Sequence, residues 1–488
     1  MFYTLKMPDF SSFISIFILT FVPVTITLFI YIMLKKLFIA TCVCLMCACT
    51  NQPKEEKTVF AQDEFKTWAQ TPPMGWNSWD CYGPTVMEDE VKANADYMAK
   101  YLKEYGWEYI VVDIRWFVEN DKAGGYNQTD PIYVLDEYGR YQPAVNRFPS
   151  AADGKGFKEL ADYVHNLGLK FGIHIMRGIA KQAVAMKTPI KGTDGITADQ
   201  IYSEELLCEW LRDNYTVVAD KPGAQEYYNS LFDMYAAWGV DFVKIDDMSR
   251  PYHKGEIELV RNAIDQCGRP IVLSLSPGET PAEEAAHVAS HANMWRMVDD
   301  VWDQWRDVTH LMDVAERWYG SIAPGTWPDC DMIPLGRISV RGERGEDRMT
   351  RLTVDEQYSL MTLFTVFRSP LMFGGDMPSN DDFTLSLLTN KEVLRMHRES
   401  TDVTRLYHTD TQLAIKSRNA ETGEIYLALF NISDDKDQTL AVNLNELGIS
   451  SSQIKAVNLW TGEDLGTQAD EFKQTLKPHA CGLYKFTE

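Results

Sequence analysis

Two patterns predict an α/β fold: a (β/α)8 TIM barrel followed by a C-terminal antiparallel β-sandwich. Over residues 65–400, eight short apolar runs alternate with longer stretches of helical apolar spacing. Beyond residue 400 the apolar period falls to two and the helical spacing stops. Continuous apolar strands between amphipathic helices need a parallel sheet covered on both faces. The chain of 488 residues has room for such a barrel and a second, smaller module.

The runs lie at 74–76, 107–113, 169–174, 240–246, 270–275, 294–298, 327–332 and 370–374. Between them, 88–105, 157–167, 227–238 and 257–266 place apolar residues three and four apart with charges between. The longest interruption, 177–223, follows the third run and is expected to be a substrate-shaping loop with some helix of its own. In the C-terminal part, 412–416, 424–430, 439–444, 454–458 and 482–486 alternate apolar and polar residues. That predicts a sandwich over 401–488, with packing and stability as its default role.

The N-terminus is read apart from the fold. Residues 10–34 carry no charge, and about 20 apolar residues suffice to cross a bilayer. A second pattern overlaps them. Met33-Leu34-Lys35-Lys36 looks like a start followed by a basic region, and 37–45 is a short apolar stretch. Leu45-Met46-Cys47-Ala48-Cys49 then resembles a bacterial lipoprotein cleavage box. The expectation is an over-extended start over 1–32, a signal peptide over 33–49 lipidated at Cys49, and a polar tether over 50–64. The alternative for 1–32 is a transmembrane anchor. Lipidation at Cys49 implies attachment to the bacterial envelope, on the periplasmic or the cell-surface side of the outer membrane.

Composition narrows the function. A formal charge of −23 repels phosphate backbones, so no nucleic-acid partner is expected. Cys81, Cys208, Cys267, Cys330 and Cys481 are scattered and lack metal-ligand spacing, which predicts neither a zinc site nor a disulfide framework. Barrel chemistry sits at the C-terminal ends of the strands. There the runs end in Asp113, His174, Lys244, Asp246, Ser276, Arg296, Asp299, Asp300, Asp329 and Asp331, with Trp76, Trp116, Trp302 and Trp327 nearby. Carboxylate pairs with aromatic walls suit glycoside hydrolysis. Clustered carboxylates also hold Mg²⁺ or Ca²⁺, but Lys244 and Arg296 would repel an ion there. No metal and no organic cofactor is expected.

At these residues the chain resembles a known family, the retaining α-galactosidases of the melibiase type, glycoside hydrolase family 27. The resemblance covers roughly residues 71–488. It rests on Thr71-Pro72-Pro73-Met74-Gly75-Trp76-Asn77-Ser78-Trp79, on 107–113, on 238–246, on the segment from Trp295 to Trp305, on 327–332 and on 369–372. It implies Asp246 as nucleophile and Asp300, rather than Asp299, as general acid/base. It implies Lys244 and Arg296 on sugar hydroxyls, with Arg296 also steadying the carboxylates, Trp76 as the subsite floor and Asp113 on the C4/C6 side of the ring. His174 stands where the family often has Tyr.

Three departures bear on specificity. Ile114 replaces a second aspartate, Ser276 stands where many members have a glutamate contacting the 2-hydroxyl, and Met248 replaces a cysteine. The first expectation is therefore a retaining exo-glycosidase acting on terminal α-D-galactosyl residues of a galactose-configured glycan. A β-L-arabinopyranosidase is the alternative that Ile114 raises, and an α-N-acetylgalactosaminidase the weaker one that Ser276 raises. From another class comes a non-catalytic glycan-binding surface lipoprotein.

Overall fold

The structure, a computed structural model, describes residue 33, residues 57–450 and residues 454–487. The expectations for 1–32, for the signal peptide with Cys49 and for the tether up to residue 56 lie outside the described residues, Met33 apart. Among the described residues no helix is long and apolar enough to cross a membrane.

Eight parallel strands form the barrel: β1 Met74–Asn77, β2 Tyr109–Val112, β3 Lys170–Met176, β4 Phe242–Asp246, β5 Val272–Leu275, β6 Met294–Arg296, β7 Trp327–Asp329 and β8 Leu371–Phe373. Their order in the sheet is β7-β6-β5-β4-β3-β2-β1-β8. The seventh run differs from the sequence expectation, because it is not one strand. β7 pairs with β6, and after a break Met332–Ile333 pairs with β8, which closes the barrel. Asp331 sits in the break at φ 86, a left-handed conformation that a regular strand does not accommodate. Gly75 marks a close approach, since a Cβ there would lie 2.6 Å from Tyr109. β1 and β2 pack at that separation only because position 75 has no side chain.

Each strand is followed by a helix: α1 Glu88–Tyr101, α2 Lys158–Asn166, α3 Ala224–Trp238, α4 Lys254–Gln266, α5 Ala285–Ala289, α6 Trp305–Ala315, α7 Val354–Phe367 and α8 Lys391–Glu399. The 177–223 insertion carries more than the helix expected. Beside Lys181–Met186 it forms a small antiparallel sheet of Ile179–Ala180, Asn214–Val217 and Tyr202–Ser203. Strands of two to four residues are too short to show a period of two.

From Thr401 the chain is all-β. The strands are β9 Thr401–His408, β10 Gln412–Arg418, β11 Ile425–Asn431, β12 Gln438–Asn443, β13 Ile454–Asn458, β14 Asp464–Gln468, β15 Glu471–Leu476 and β16 Cys481–Thr487. They make a six-stranded sheet, β9-β10-β11-β16-β13-β14, and a pair, β12-β15. β11 explains how the module attaches. Leu427 and Leu429 join Leu440, Val442 and Phe472 in the sandwich core, whereas Tyr426, Ala428 and Phe430 belong to the core shared with the barrel. Successive side chains on opposite faces thus bury the strand twice over.

Candidate active site

The strand ends surround one cavity of about 420 Å³. Asp113, Ile114, His174, Lys244, Asp246 and Asp300 all reach its wall. They come from the ends of β2, β3, β4 and the segment after β6, so residues far apart in sequence meet through the parallel register. In that register His174 stands beside Lys244, and Met176 beside Asp246.

A charge network sets the depth of the site. His174 Nδ1 is hydrogen-bonded to Asp113 Oδ1. Its Nε2 lies 3.0 Å from Asp246 Oδ1, so the imidazole bridges the two carboxylates. Lys244 Nζ donates to Asp113 Oδ2 at 3.4 Å. Asp113 also receives the Ile114 N–H at 2.9 Å, and its own N–H donates to Ser78 Oγ at 2.9 Å.

Burial alone would raise both carboxyls. The charges of His174 and Lys244 outweigh it and hold Asp113 and Asp246 below the usual carboxylate range. Burial likewise opposes charge on His174, but Asp113 and Asp246 overcome it and raise its pKa. The result is an ionised, partly desolvated carboxylate at the cavity floor, suited to nucleophilic attack.

Asp300 lines the same cavity on a different support. Arg296, four residues earlier, donates through Nη2 to Asp300 Oδ1 at 3.2 Å and pairs through Nη1 with Asp331 at 2.5 Å. Asp331 in turn accepts the Val301 N–H at 2.8 Å, immediately after Asp300. The neighbouring Asp299 also reaches the cavity, at its exposed rim, and is held there by Arg250 at 2.5 and 2.9 Å. Of the two adjacent aspartates, only Asp300 is held by the Arg296–Asp331 pair.

Three residues expected to bind substrate are not on the cavity wall. Trp76 is fully buried, with Nε1 donating to the Gly375 carbonyl at 2.8 Å. It lies inside β1, where the side chain fills the barrel. Arg296 is buried with its guanidinium on Asp300 and Asp331, the carboxylate-steadying place expected of it, and is not on the wall. Ser276 is fully buried with its hydroxyl 3.5 Å from Arg296 Nη1, and Pro277 takes the wall instead. Trp116, Trp302 and Trp327 are also buried away from the cavity.

Other residues supply the wall that the sequence reading left unassigned: Trp79, Tyr126, Trp210, Met332, Glu343 and Arg344. Trp79 stacks on Tyr126 with ring centroids 5.7 Å apart. It lies two residues beyond the end of β1, so the strand-end rule points to it ahead of Trp76. Tyr126, Trp210 and Glu343 sit in long loops, and no local pattern marks them.

A deep carboxylate and a second carboxylate on an arginine, facing one cavity above a barrel, are parts of a glycosidase site. The comparisons agree. The C-terminal β-sandwich domain of α-galactosidase matches residues 410–486, and the pattern described as α-galactosidase A matches residues 191–399. A glycoside hydrolase family 27 β-L-arabinopyranosidase from Geobacillus stearothermophilus, solved with arabinose, is 51% identical. The match covers 87% of this chain and 99% of that one, with a TM-score of 0.84. The chain belongs to glycoside hydrolase family 27.

More distant members of the family differ in activity. α-Galactosidase A of Cellvibrio japonicus is 27% identical over 83% of this chain and 89% of that protein. Human α-N-acetylgalactosaminidase is 25% identical over 85% and 90%. Family membership makes the protein a glycoside hydrolase.

Proposed function

We propose that this family 27 enzyme is a retaining exo-glycosidase with β-L-arabinopyranose as its preferred terminal sugar and α-D-galactose as the slower substrate. That reverses the order expected from the sequence. In the proposed reaction Asp246 attacks the anomeric carbon while Asp300 gives its proton to the departing glycosidic oxygen. The glycosyl–aspartate bond is then broken by a water that Asp300 deprotonates, restoring both groups.

The carrying observation is Ile114 on the cavity wall, next to Asp113. The two sugars share ring stereochemistry and differ by one hydroxymethyl group. A galactose 6-hydroxyl beside Ile114 meets an apolar branched side chain where a carboxylate would have accepted its proton. The 177–223 insertion supplies Trp210 to the wall and no carboxylate. Leaving that hydroxyl unpaired costs about 1–3 kcal/mol, roughly ten- to a hundredfold in kcat/KM, and an arabinoside escapes the cost. The likeness to the Geobacillus arabinopyranosidase supports the same reading. The N-acetylgalactosaminidase reading stays the weaker one, because Ser276, the residue that raised it, is buried off the wall.

Aryl glycosides of β-L-arabinopyranose, α-D-galactose and α-N-acetylgalactosamine test the proposal. The arabinoside is expected to give the highest kcat/KM, and Ile114→Asp to raise the galactoside-to-arabinoside ratio by about tenfold or more. Wild type favouring galactoside, with the ratio unmoved in the variant, would overturn the specificity. An inverted first product seen by NMR would overturn the mechanism. No turnover of any of the three would favour the glycan-binding reading.

We also propose attachment to the cell envelope through a lipid on Cys49. Cys49→Ser should then move the enzyme from the membrane to the soluble fraction. Retention in the membrane by that variant, with release on deleting residues 10–32, would favour the transmembrane reading.

A further inference from the structure

We propose that Glu258, His287 and His291 form a binding site for one divalent transition-metal ion of the zinc class, on the outer helices of the barrel and apart from the catalytic cavity. Each offers one ligand atom, and these atoms lie within 4.8 Å of one another. His287 Nε2 stands 3.3 Å from Glu258 Oε1. Two ligands each about 2.0–2.1 Å from a tetrahedral ion are about 3.3–3.4 Å apart, so this pair already has the spacing of one tetrahedral edge.

The histidines are four residues apart, on α5 and the turn that continues it, where the His291 N–H donates to the Val288 carbonyl at 3.1 Å. Residues four apart share one face of a helical turn. Their rings lie with centroids 4.1 Å apart. Glu258 reaches them from α4.

The other ring nitrogens are engaged in a way that prepares the ligands. His291 Nδ1 is 2.8 Å from the His287 carbonyl, which only accepts, and 2.9 Å from the Ser290 hydroxyl, whose own proton goes to that carbonyl at 2.8 Å, so Nδ1 carries the proton and Nε2 keeps its lone pair. His287 Nδ1 faces the Tyr252 hydroxyl at 2.6 Å, leaving Nε2 toward Glu258. Such partners on the far nitrogen are what orient ligating histidines. Cysteine spacing gave no sign of this site, because it contains no cysteine and its third member lies on the preceding helix.

An ion here would tie α4 to α5 and, through His287 and Tyr252, hold the loop that follows Asp246. That loop also carries Arg250, which lines the cavity and pairs with Asp299. The bond is structural and takes no part in the reaction.

The test uses the full chain stripped with a chelator and titrated with zinc chloride, read by calorimetry and by thermal melting. Wild type is expected to bind one ion per chain and to melt at a higher temperature with zinc, since binding to the folded state stabilises it. Glu258→Gln and His291→Ala should each weaken binding by about tenfold or more. His310→Ala, at an exposed histidine outside the cluster, and Asp246→Asn should bind as wild type does. Absence of saturable zinc binding in wild type, or binding undiminished in His291→Ala, would overturn the site. Loss of binding in Asp246→Asn with retention in His291→Ala would place the ion in the cavity and overturn it equally.

Discussion

His174 is one imidazole between two carboxylates, and its charge controls both. Burial opposes that charge, yet Asp113 and Asp246 raise its pKa above the ordinary 6.5. A raised pKa means the stabilisation is fully present below the unfolded value and is lost as pH rises through the folded one. For Asp113 and Asp246 the sign is opposite, because their pKa values are lowered. Their contribution is present above the unfolded value and fades as pH falls. The acid limb of kcat/KM should therefore lie below the usual carboxylate range. His174→Gln removes the foremost charge that lowers Asp246, so that limb should move to higher pH with a folded protein by circular dichroism. An unmoved limb would show that Lys244 alone holds Asp246 ionised. Asp113, Lys244 and Asp246 were legible as polar residues ending apolar strands. Trp79 was not, because Trp76 and Trp79 look alike in a linear signature, and only the end of β1 at Asn77 separates a core ring from a wall ring.

At the scale of elements, the root of the 177–223 insertion is clamped to the strand that carries Asp246. Arg177, just past β3, pairs through Nη2 with Asp247 at 2.8 Å and through Nη1 with Glu256 of α4 at 2.9 Å. Its Nε also donates to the Asp247 carbonyl at 2.7 Å. Burial pushes Asp247 up to about 7 even beside this guanidinium. Asp247 also holds φ 67, an uncommon conformation for a residue with a side chain. Arg177→Met would leave two buried carboxyls without their cation, a change expected to cost about 3–5 kcal/mol. Urea unfolding should show that loss. The loop after Asp246 should loosen too, lowering kcat more than Arg177→Lys does. A stability change within about 0.5 kcal/mol would mean the clamp is redundant. The insertion was visible as a gap between periodic segments, but its short strands were not. Nor was the break in the seventh strand, where Asp329 and Asp331 turn a single apolar run into two pieces.

For the whole molecule, the question is what keeps the sandwich on the barrel. β10 and β11 were readable as short apolar runs between turn residues, since one face meets the second sheet and the other meets α7 and little of either strand is exposed. β9 and β14 were missed because they bury no residue fully and carry little apolar signal, and β15 because Phe472 and Leu476, four apart, are its only apolar residues. Polar contacts border the apolar junction. Trp460 Nε1 donates to Thr362 Oγ1 at 2.8 Å, Ser359 Oγ donates to the His479 carbonyl at 2.6 Å, and Arg395 of α8 grips Glu424 at 2.7 and 2.9 Å. The last pair titrates. Hydrogen bonds from Arg395 lower Glu424 from 4.5 to about 2. A depressed pKa contributes stability above the unfolded value, and that stability drains away as pH falls from about 4.5 toward about 2. Glu424→Gln should accordingly melt below wild type near neutral pH, and the gap should close as both are acidified through that window. Arg395→Met should show the same convergence, because either change removes the same pair. Melting curves of the three proteins across the acid range check this. A gap that stays constant down to the acid end would assign the difference to lost packing and not to the charge on Glu424.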